Sequence, residues 1–479
     1  MYVNFRISMK QHHYLAVDLG ATSGRTTLAT FDGSNISLRE LTRFANPMVP
    51  IAGHIHWNIV ELYNQILSAL TLVHKEGIEL KSIGIDTWGC DVAYFGKKGN
   101  LVSLPYCYRG SHTEGAMEAY FERMAAEELY QRSGIQFMPF NTIFQLDAIN
   151  RLGLVNIEQV DKILFIPDAL NYLLTGVAAT EYTVATTGQI VDAASKQLDE
   201  KVLSVAGIKR EQFGEFITPG TVLGELTEQN KHHTGITNAK VVAVAGHDTA
   251  AAVAAVPVGA EAAYLSCGTW SLMGIKTENP IITPQSFAEN FTNEGGIDGT
   301  IRFLKNICGL WLFERCRAEF TDAPKDVAQL VALAGTVSDE FTTLINPDDP
   351  TFANPPSMIE AIDNYAERTN QRKPSTPAEY CNCIFRSLAT RYKEVFTLLE
   401  QFAGRRLEYL YVIGGGAQNA MLMQLTANAI GRDVVVGVAE STTMGNILMQ
   451  MRALGDIGAE DMQRIITAST NTKIYKPVQ

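Results

Sequence analysis

Hydrophobic and polar positions follow two periods along this chain, and the switches between them mark its elements. Tyr14–Asp18 is a short apolar run ending in a carboxylate; Thr26–Phe31 is a second run, closed by the hairpin turn signal Asp32-Gly33. Ile36–Leu41 reads as a third strand. From Val60 to Lys75 the period becomes helical, with Leu62, Ile66, Leu70 and Val73 on one face. Ser82–Thr87 is apolar and β-rich again, with Asp91–Phe95 as its expected partner and Lys97-Lys98-Gly99 as a turn.

The second half repeats the theme. Ala262–Ser266 and Trp270–Ile275 flank the small-residue turn Cys267-Gly268-Thr269. A long helix is expected from about Ala378, keeping Ile384, Leu388, Tyr392, Val395, Leu399 and Phe402 on one face until Gly404 caps it. Tyr409–Ile413 then reads as a buried strand running into Gly414-Gly415-Gly416, followed by a helix over Met421–Ile430 and a strand over Val434–Val438. Two strand–turn–strand units in separate halves predict an internal duplication. The boundary is expected within Ala251–Ala260, giving domains at residues 10–250 and 251–460 and a C-terminal segment at 461–479. Met1–Lys10 reads as an extension ahead of the first strand.

Composition narrows the class. The 479 residues are 46% hydrophobic and 19% charged, the balance of a globular protein of two or three domains. A net charge of -12 argues against a nucleic-acid partner, which needs dense Lys/Arg surfaces. It leaves a nucleotide possible, because backbone N–H groups bind phosphate on an acidic protein. Seven scattered cysteines suit reduced thiols and a cytoplasmic protein better than a disulfide framework, and Cys381 and Cys383 lack zinc-site spacing. No apolar run is long enough for a bilayer, so no membrane role is expected.

Candidate chemistry sits at the strand ends. In Asp18-Leu19-Gly20-Ala21-Thr22-Ser23-Gly24-Arg25 a strand delivers a carboxylate, and the small residues after it let a ligand approach the backbone. Such a turn can cradle phosphate oxygens while Asp18 holds the hydration shell of Mg²⁺; it is equally a plain hairpin turn. Cys267-Gly268-Thr269 is the equivalent turn of the second half. Gly414-Gly415-Gly416, with Asn419 opening a helix, suits adenine and ribose or else a close-packed strand-to-helix turn. Neither a Walker A nor a Rossmann glycine pattern occurs. Val241–Ala245 is an apolar strand ending at Gly246-His247-Asp248-Thr249, which puts Asp248 where α/β sheets bind ligands, or where an Asp caps the next helix.

These residues together resemble the FGGY carbohydrate kinases: Asp18-x-Gly-x-Thr-Ser-x-Arg25, Gly246-His247-Asp248, Gly268-Thr269 and Gly414-Gly415-Gly416. Longer runs carry the resemblance towards the members acting on L-rhamnulose: Gly84–Gly89, Arg132–Asn141, Tyr264–Gly274, Thr292–Gly296, Lys305-Asn306 and Gly309–Trp311. It implies an α/β fold of two actin-like (ribonuclease H-like) ATPase domains with a central cleft. Its partners would be ATP with Mg²⁺ and a small sugar, in a monomer or small homo-oligomer. The implied reaction phosphorylates O1 of L-rhamnulose, with Asp248 as proton acceptor. Ala21, Thr22, Ser23, Gly24, Arg25, Gly268 and Thr269 would contact the phosphates, and Asn306, Glu314, Gly415, Gly416 and Asn419 the nucleotide; Glu314 stands where a neutral Gln is expected. Gly89, His247 and Thr249 would line the sugar site. Asp86 and Asp91 are further candidates there, each with a strand-end role as the alternative, and Trp88 either stacks on the sugar or fills the core.

Tyr108-Arg109-Gly110-Ser111-His112-Thr113 departs from the Arg-Asp-x-Arg element of many relatives, and Trp57-Asn58 stands where an Asp is common. Alternatives are a kinase for L-fuculose or L-xylulose, and a non-phosphorylating actin-like ATPase or sugar sensor. A regulator would carry a helix-turn-helix and a basic face, and the sequence has neither.

Overall fold

The computed structural model describes residues 11–257, 259, 261–437, 440–469 and 472–478. The expected extension Met1–Lys10, and Val438 at the end of the last expected strand, lie outside the described residues. The chain forms two compact units: one is the chain through Ala255 with Glu278–Arg302 and Thr442–Ser469, the other is Val256–Thr277, Phe303–Ser441 and Thr470–Gln479.

In the first unit, β1 (His12–Leu19), β2 (Ser23–Phe31), β3 (Ile36–Ala45), β4 (Leu80–Thr87), β5 (Thr221–Glu225) and β6 (Lys240–Ala243) form one sheet in the order β5-β6-β4-β1-β2-β3. The hairpins β1–β2 and β2–β3 are antiparallel, while β4 lies parallel to both β1 and β6. Helix α1 (Ile59–Lys75) crosses from β3 to β4, and all four of its predicted apolar positions are buried. It starts where the Asn58 side chain accepts from the Glu61 N–H at 3.2 Å, which satisfies one orphan donor of the first turn.

Asp91–Phe95 does not pair with Ser82–Thr87 as the sequence suggested. Both hydrogen-bonding edges of β4 are already taken, by β1 and β6. The chain turns away at Cys90, whose φ is +71° and across which Asp91 N–H donates to Gly89 C=O at 2.9 Å. A left-handed backbone is costly for a residue with a Cβ, so the packing around Cys90 has to hold it there. Val92–Phe95 becomes the middle of a separate three-stranded sheet, between Leu101–Ser103 and Lys162–Phe165. The Lys97-Lys98-Gly99 turn is present, and joins Val92–Phe95 to Leu101–Ser103.

In the second unit, β7 (Ala262–Cys267), β8 (Trp270–Thr277), β9 (Ile301–Cys308), β10 (Tyr409–Ile413), β11 (Asp433–Val436) and β12 (Lys473–Tyr475) run in the order β9-β8-β7-β10-β11-β12. The unit boundary passes through β9, between Arg302 and Phe303. A hairpin, β7–β8, is again followed by two parallel additions, β10 and β11, and by an antiparallel edge strand. The predicted duplication is therefore present as topology. Between β9 and β10 runs the long helix α2 (Pro377–Ala403), with Thr376 capping its start and Gly404, φ +63°, its end. Among the described residues, no helix is long and apolar enough to cross a membrane.

Candidate active site

Strand register gathers the charged candidates of the first unit. Asp18 lies opposite Arg25 on β2 and abreast of Asp86 on β4, so three ionisable side chains share one rim of the sheet. Arg25 grips Oδ2 of Asp18 with two donors, Nε at 3.0 Å and Nη2 at 2.7 Å. Asp86 is fully buried, and its carboxyl is pushed well above the usual range by burial first and then by the Asp18 and Asp248 charges. Asn446 Nδ2 donates to its Oδ2 at 2.6 Å, while Oδ1 is buried without a hydrogen-bond partner. Between these strands the turn at Ala21 and Thr22 is closed by Gly20 N–H donating to Ser23 C=O at 2.9 Å, and Thr22 is exposed.

Asp248 approaches the same rim from β6. A parallel bridge pairs Thr87 with His247, and Thr87 N–H donates to Gly246 C=O at 2.9 Å. The helix Asp248–Ala254 begins here, but its N-cap is His247 and no side chain caps it. Asp248 is thus not spent as a helix cap. Its Oδ1 accepts from Thr249 Oγ1 at 3.0 Å and faces His247 Nε2 at 3.4 Å, and its side chain is about one-third exposed. Buried Glu181 holds the approach: Oε2 accepts from Gly246 N–H at 2.9 Å and from Val184 N–H at 3.1 Å. Burial pushes Glu181 up, against the pull of those donors.

Gly89 packs on Thr187, where an added Cβ would come within 2.7 Å of the hydroxyl. Trp88 is placed in the core, 6% exposed, with its ring centroid 4.5 Å from that of Trp57. Both indole N–H groups donate to Asp91 Oδ2, Trp57 at 2.5 Å and Trp88 at 2.9 Å, and Gln145 Nε2 donates to Oδ1 at 2.9 Å. Burial nonetheless raises the Asp91 carboxyl to about 6.

The second unit's candidates form a rim of another kind. Gly268 N–H donates to Trp270 C=O at 2.9 Å to close the turn, and Thr269 is exposed at its tip. Leu310 N–H donates to Gly268 C=O at 2.9 Å and Trp311 N–H to Thr269 C=O at 3.2 Å, which seats the helix Trp311–Glu319 on the turn. Gly414 has φ +88°, and a Cβ there would stand 2.6 Å from the Cys267 carbonyl oxygen, so only glycine fits. Gly415 is exposed and Gly416 buried; Asn419 caps the next helix, its Oδ1 accepting from Leu422 N–H at 3.0 Å. Asn306 lies near the end of β9, half-buried, whereas Glu314 is on the open face of its helix, paired with Arg317 at 2.5 Å.

The sequence matches two models of one family: the N-terminal domain of the FGGY carbohydrate kinases over residues 13–255, and the C-terminal domain over 263–454. The chain belongs to the FGGY family of carbohydrate kinases. This FGGY chain is 48% identical to a rhamnulokinase of Bacteroides thetaiotaomicron, covering 98% of the chain and 96% of that protein. A rhamnulokinase of Pectobacterium atrosepticum is 42% identical over 94% of the chain and 90% of its own length. Among solved structures, a gluconate kinase from Lactobacillus acidophilus superposes with a TM-score of 0.81 at 15% identity, covering 98% of this chain and 94% of that one. A xylulose kinase from the same organism gives 0.81 at 16% identity, with the same coverage. These two show the shared fold.

Around the candidate residues of this FGGY kinase lie others that sequence reasoning did not single out for chemistry: Glu181, Glu294, Arg302 and Asn446. Each comes from a distant segment, and none sits in a turn or at a predicted strand end. Glu294 lies inside the quoted run Thr292–Gly296, which was its one visible signal. For a bound cation, the described residues contain no group of three His, Cys, Asp or Glu side chains able to ligate it directly. The Asp18–Asp86 pair, with its orphaned Oδ1, instead fits a hydrated ion that brings phosphates as its other ligands.

Proposed function

We propose that the chain transfers the γ-phosphoryl group of ATP to O1 of L-rhamnulose, giving L-rhamnulose 1-phosphate and ADP. Near-full-length identity of 48% to a protein named rhamnulokinase carries the choice of sugar. Asp248 is the general base. What supports this is its place at the strand end, with no capping duty and a partly open carboxylate. It takes the O1 proton as O1 bonds to the γ-phosphorus and the bond to the β,γ-bridging oxygen breaks, releasing ADP. Mg²⁺ arriving with ATP supplies charge neutralisation on the phosphoryl oxygens, and Asp18 and Asp86 would hold it through its water shell. Ala21–Arg25 and Gly268-Thr269 present donors to the phosphates; Asn306, Glu314, Gly415, Gly416 and Asn419 form the nucleotide side. Gly89, His247 and Thr249 line the sugar, with Trp88 behind them. In this reading residues 10–250 carry sugar and phosphates, and residues 251–460 the nucleotide. The seven free cysteines suit a reducing compartment, and we assign the enzyme to the cytoplasm.

Coupled ADP release with L-rhamnulose, L-fuculose, L-xylulose and no sugar tests the assignment. The expected result is turnover that is fastest with L-rhamnulose and marginal without sugar. A higher kcat/KM with another ketose overturns the substrate, and equal rates without sugar overturn the kinase.

A further inference from the structure

One buried charged group of the first unit has no part in the mechanism so far. Arg302 is 1% exposed and Glu294 5%, and the two are paired, with Arg302 Nη2 3.0 Å from Glu294 Oε2. A second anchor fixes the guanidinium: Arg302 Nε donates to Gly295 C=O at 2.9 Å. Burial by itself would push the Glu294 carboxyl up, yet the Arg302 guanidinium beside it holds it below the ordinary range. The pair therefore stays ionised inside the protein, and removing one partner strands the charge of the other.

This pair backs directly onto His247. Arg302 Nη2 lies 3.1 Å from His247 Nδ1, and Glu294 Oε2 lies 3.4 Å from the same nitrogen. The opposite ring nitrogen, Nε2, faces Asp248 Oδ1 at 3.4 Å. Of the two groups at Nδ1 only Arg302 stands in hydrogen-bonding geometry, while Glu294 Oε2 has no hydrogen-bond partner; a guanidinium has donors only, so the neutral imidazole turns a lone pair to it and keeps its proton on Nε2. A carboxylate has acceptors only, so Asp248 selects the same form from the other side. Thr249 Oγ1 approaches Oδ1 as well, at 3.0 Å, so both neighbours gather on one oxygen of Asp248.

We propose that the Glu294–Arg302 ion pair is a positioning unit that fixes His247 as the Nε2–H tautomer, so that His247 orients Asp248 for proton removal from the sugar. The inference rests on Asp248 being the base. With Oδ1 held by His247 and Thr249, Oδ2 receives the O1 proton while O1–P forms and the bond from phosphorus to the bridging oxygen breaks. Glu294 keeps the guanidinium aimed at Nδ1; without it the buried cation would seek other acceptors. Neither Glu294 nor Arg302 touches a reacting atom.

The test uses the full chain labelled with [¹⁵N]histidine, at a pH where the ring is neutral, with His247→Gln identifying the His247 signals. The expected wild-type spectrum shows Nε2 protonated and Nδ1 bare; an Nδ1–H ring overturns the inference even if no variant folds. Arg302→Lys and Glu294→Gln are then followed by ring spectrum and kinetics, with circular dichroism as the check on folding. Both should mix the tautomers and lower kcat about tenfold, a share of what a general base contributes, with KM for ATP nearly unchanged. Unchanged kcat, or lowered kcat with the tautomer intact, overturns the positioning role. Asp248→Asn separates the two readings: near-normal turnover there would end the base assignment itself, whatever form His247 takes.

Discussion

The same strand order is built twice, and the two copies end in opposite chemistry. In the first unit the turn between β1 and β2 is framed by Asp18, Arg25 and Asp86, with Asp248 reaching the rim from β6. In the second, the matching turn between β7 and β8 is framed by Cys267, Gly268 and Gly414, so close together that a side chain at Gly414 would strike the Cys267 backbone. One rim offers ionisable groups that can move a proton and hold a hydrated cation. The other offers backbone and the uncharged Thr269 hydroxyl, and the N–H groups of such a turn can bind phosphate without adding charge. On the proposed function, the duplicated frame separates acid–base work from nucleotide binding, because the frame fixes where a turn stands while its side chains decide what it does.

The largest effect that follows from this contrast is at Asp248. Asp248→Asn keeps size and fold but cannot take a proton, so kcat for L-rhamnulose should fall by ~10²–10⁴ while ATP still binds. ADP release and nucleotide titration read the two parts, and near-normal turnover would erase the division between the rims. Next comes the backbone rim. Gly414→Ala meets both a left-handed φ and the Cys267 carbonyl, so a loss of about 1–3 kcal/mol in stability is expected for the backbone strain alone. Thermal melting reads it, and KM for ATP should rise more than KM for the sugar; a rise confined to the sugar would place the nucleotide elsewhere.

The third effect, confined to a window of pH, probes charge behind the first rim. Asp91 has a folded-state pKa of about 6 against an ordinary 3.8, so the native state holds its proton more tightly than the unfolded chain does. Its contribution is fully present below about pH 4 and is lost as pH rises through 6, up to about 3 kcal/mol in all. Asp91→Asn removes that slope. Melting curves of wild type and variant from pH 4 to 7 should converge or cross in the variant's favour as pH rises, and a constant gap would refute the shift.

Much of the frame was legible because its signals are local. Tyr14–Asp18, Thr26–Phe31 and Ala262–Ser266 show as apolar runs bounded by turn residues, and α1 and α2 show as helical stripes that are buried where the stripe lies. Asp248 was legible as a candidate, yet its alternative as a helix cap was settled only by three-dimensional placement, which gives the cap to His247. The partner of Val92–Phe95 was not legible. Its apolar pattern says that it pairs, but which edge is free depends on where β1 and β6 already lie.

By itself, then, the sequence determined the strand–turn–strand units, the caps, the small-residue turns and the identity of the acid placed after β6. These depend on neighbours a few residues away, and local sterics and hydrogen bonding suffice to specify them. Only the tertiary structure decided that Asp18 lies abreast of Asp86, that Asn446 reaches the Asp86 carboxylate, and that Arg302 turns its guanidinium to His247 across a separation of 55 residues. Such pairs form because burying a charge requires a partner, and the chain finds that partner wherever folding brings it near, not where the sequence is close.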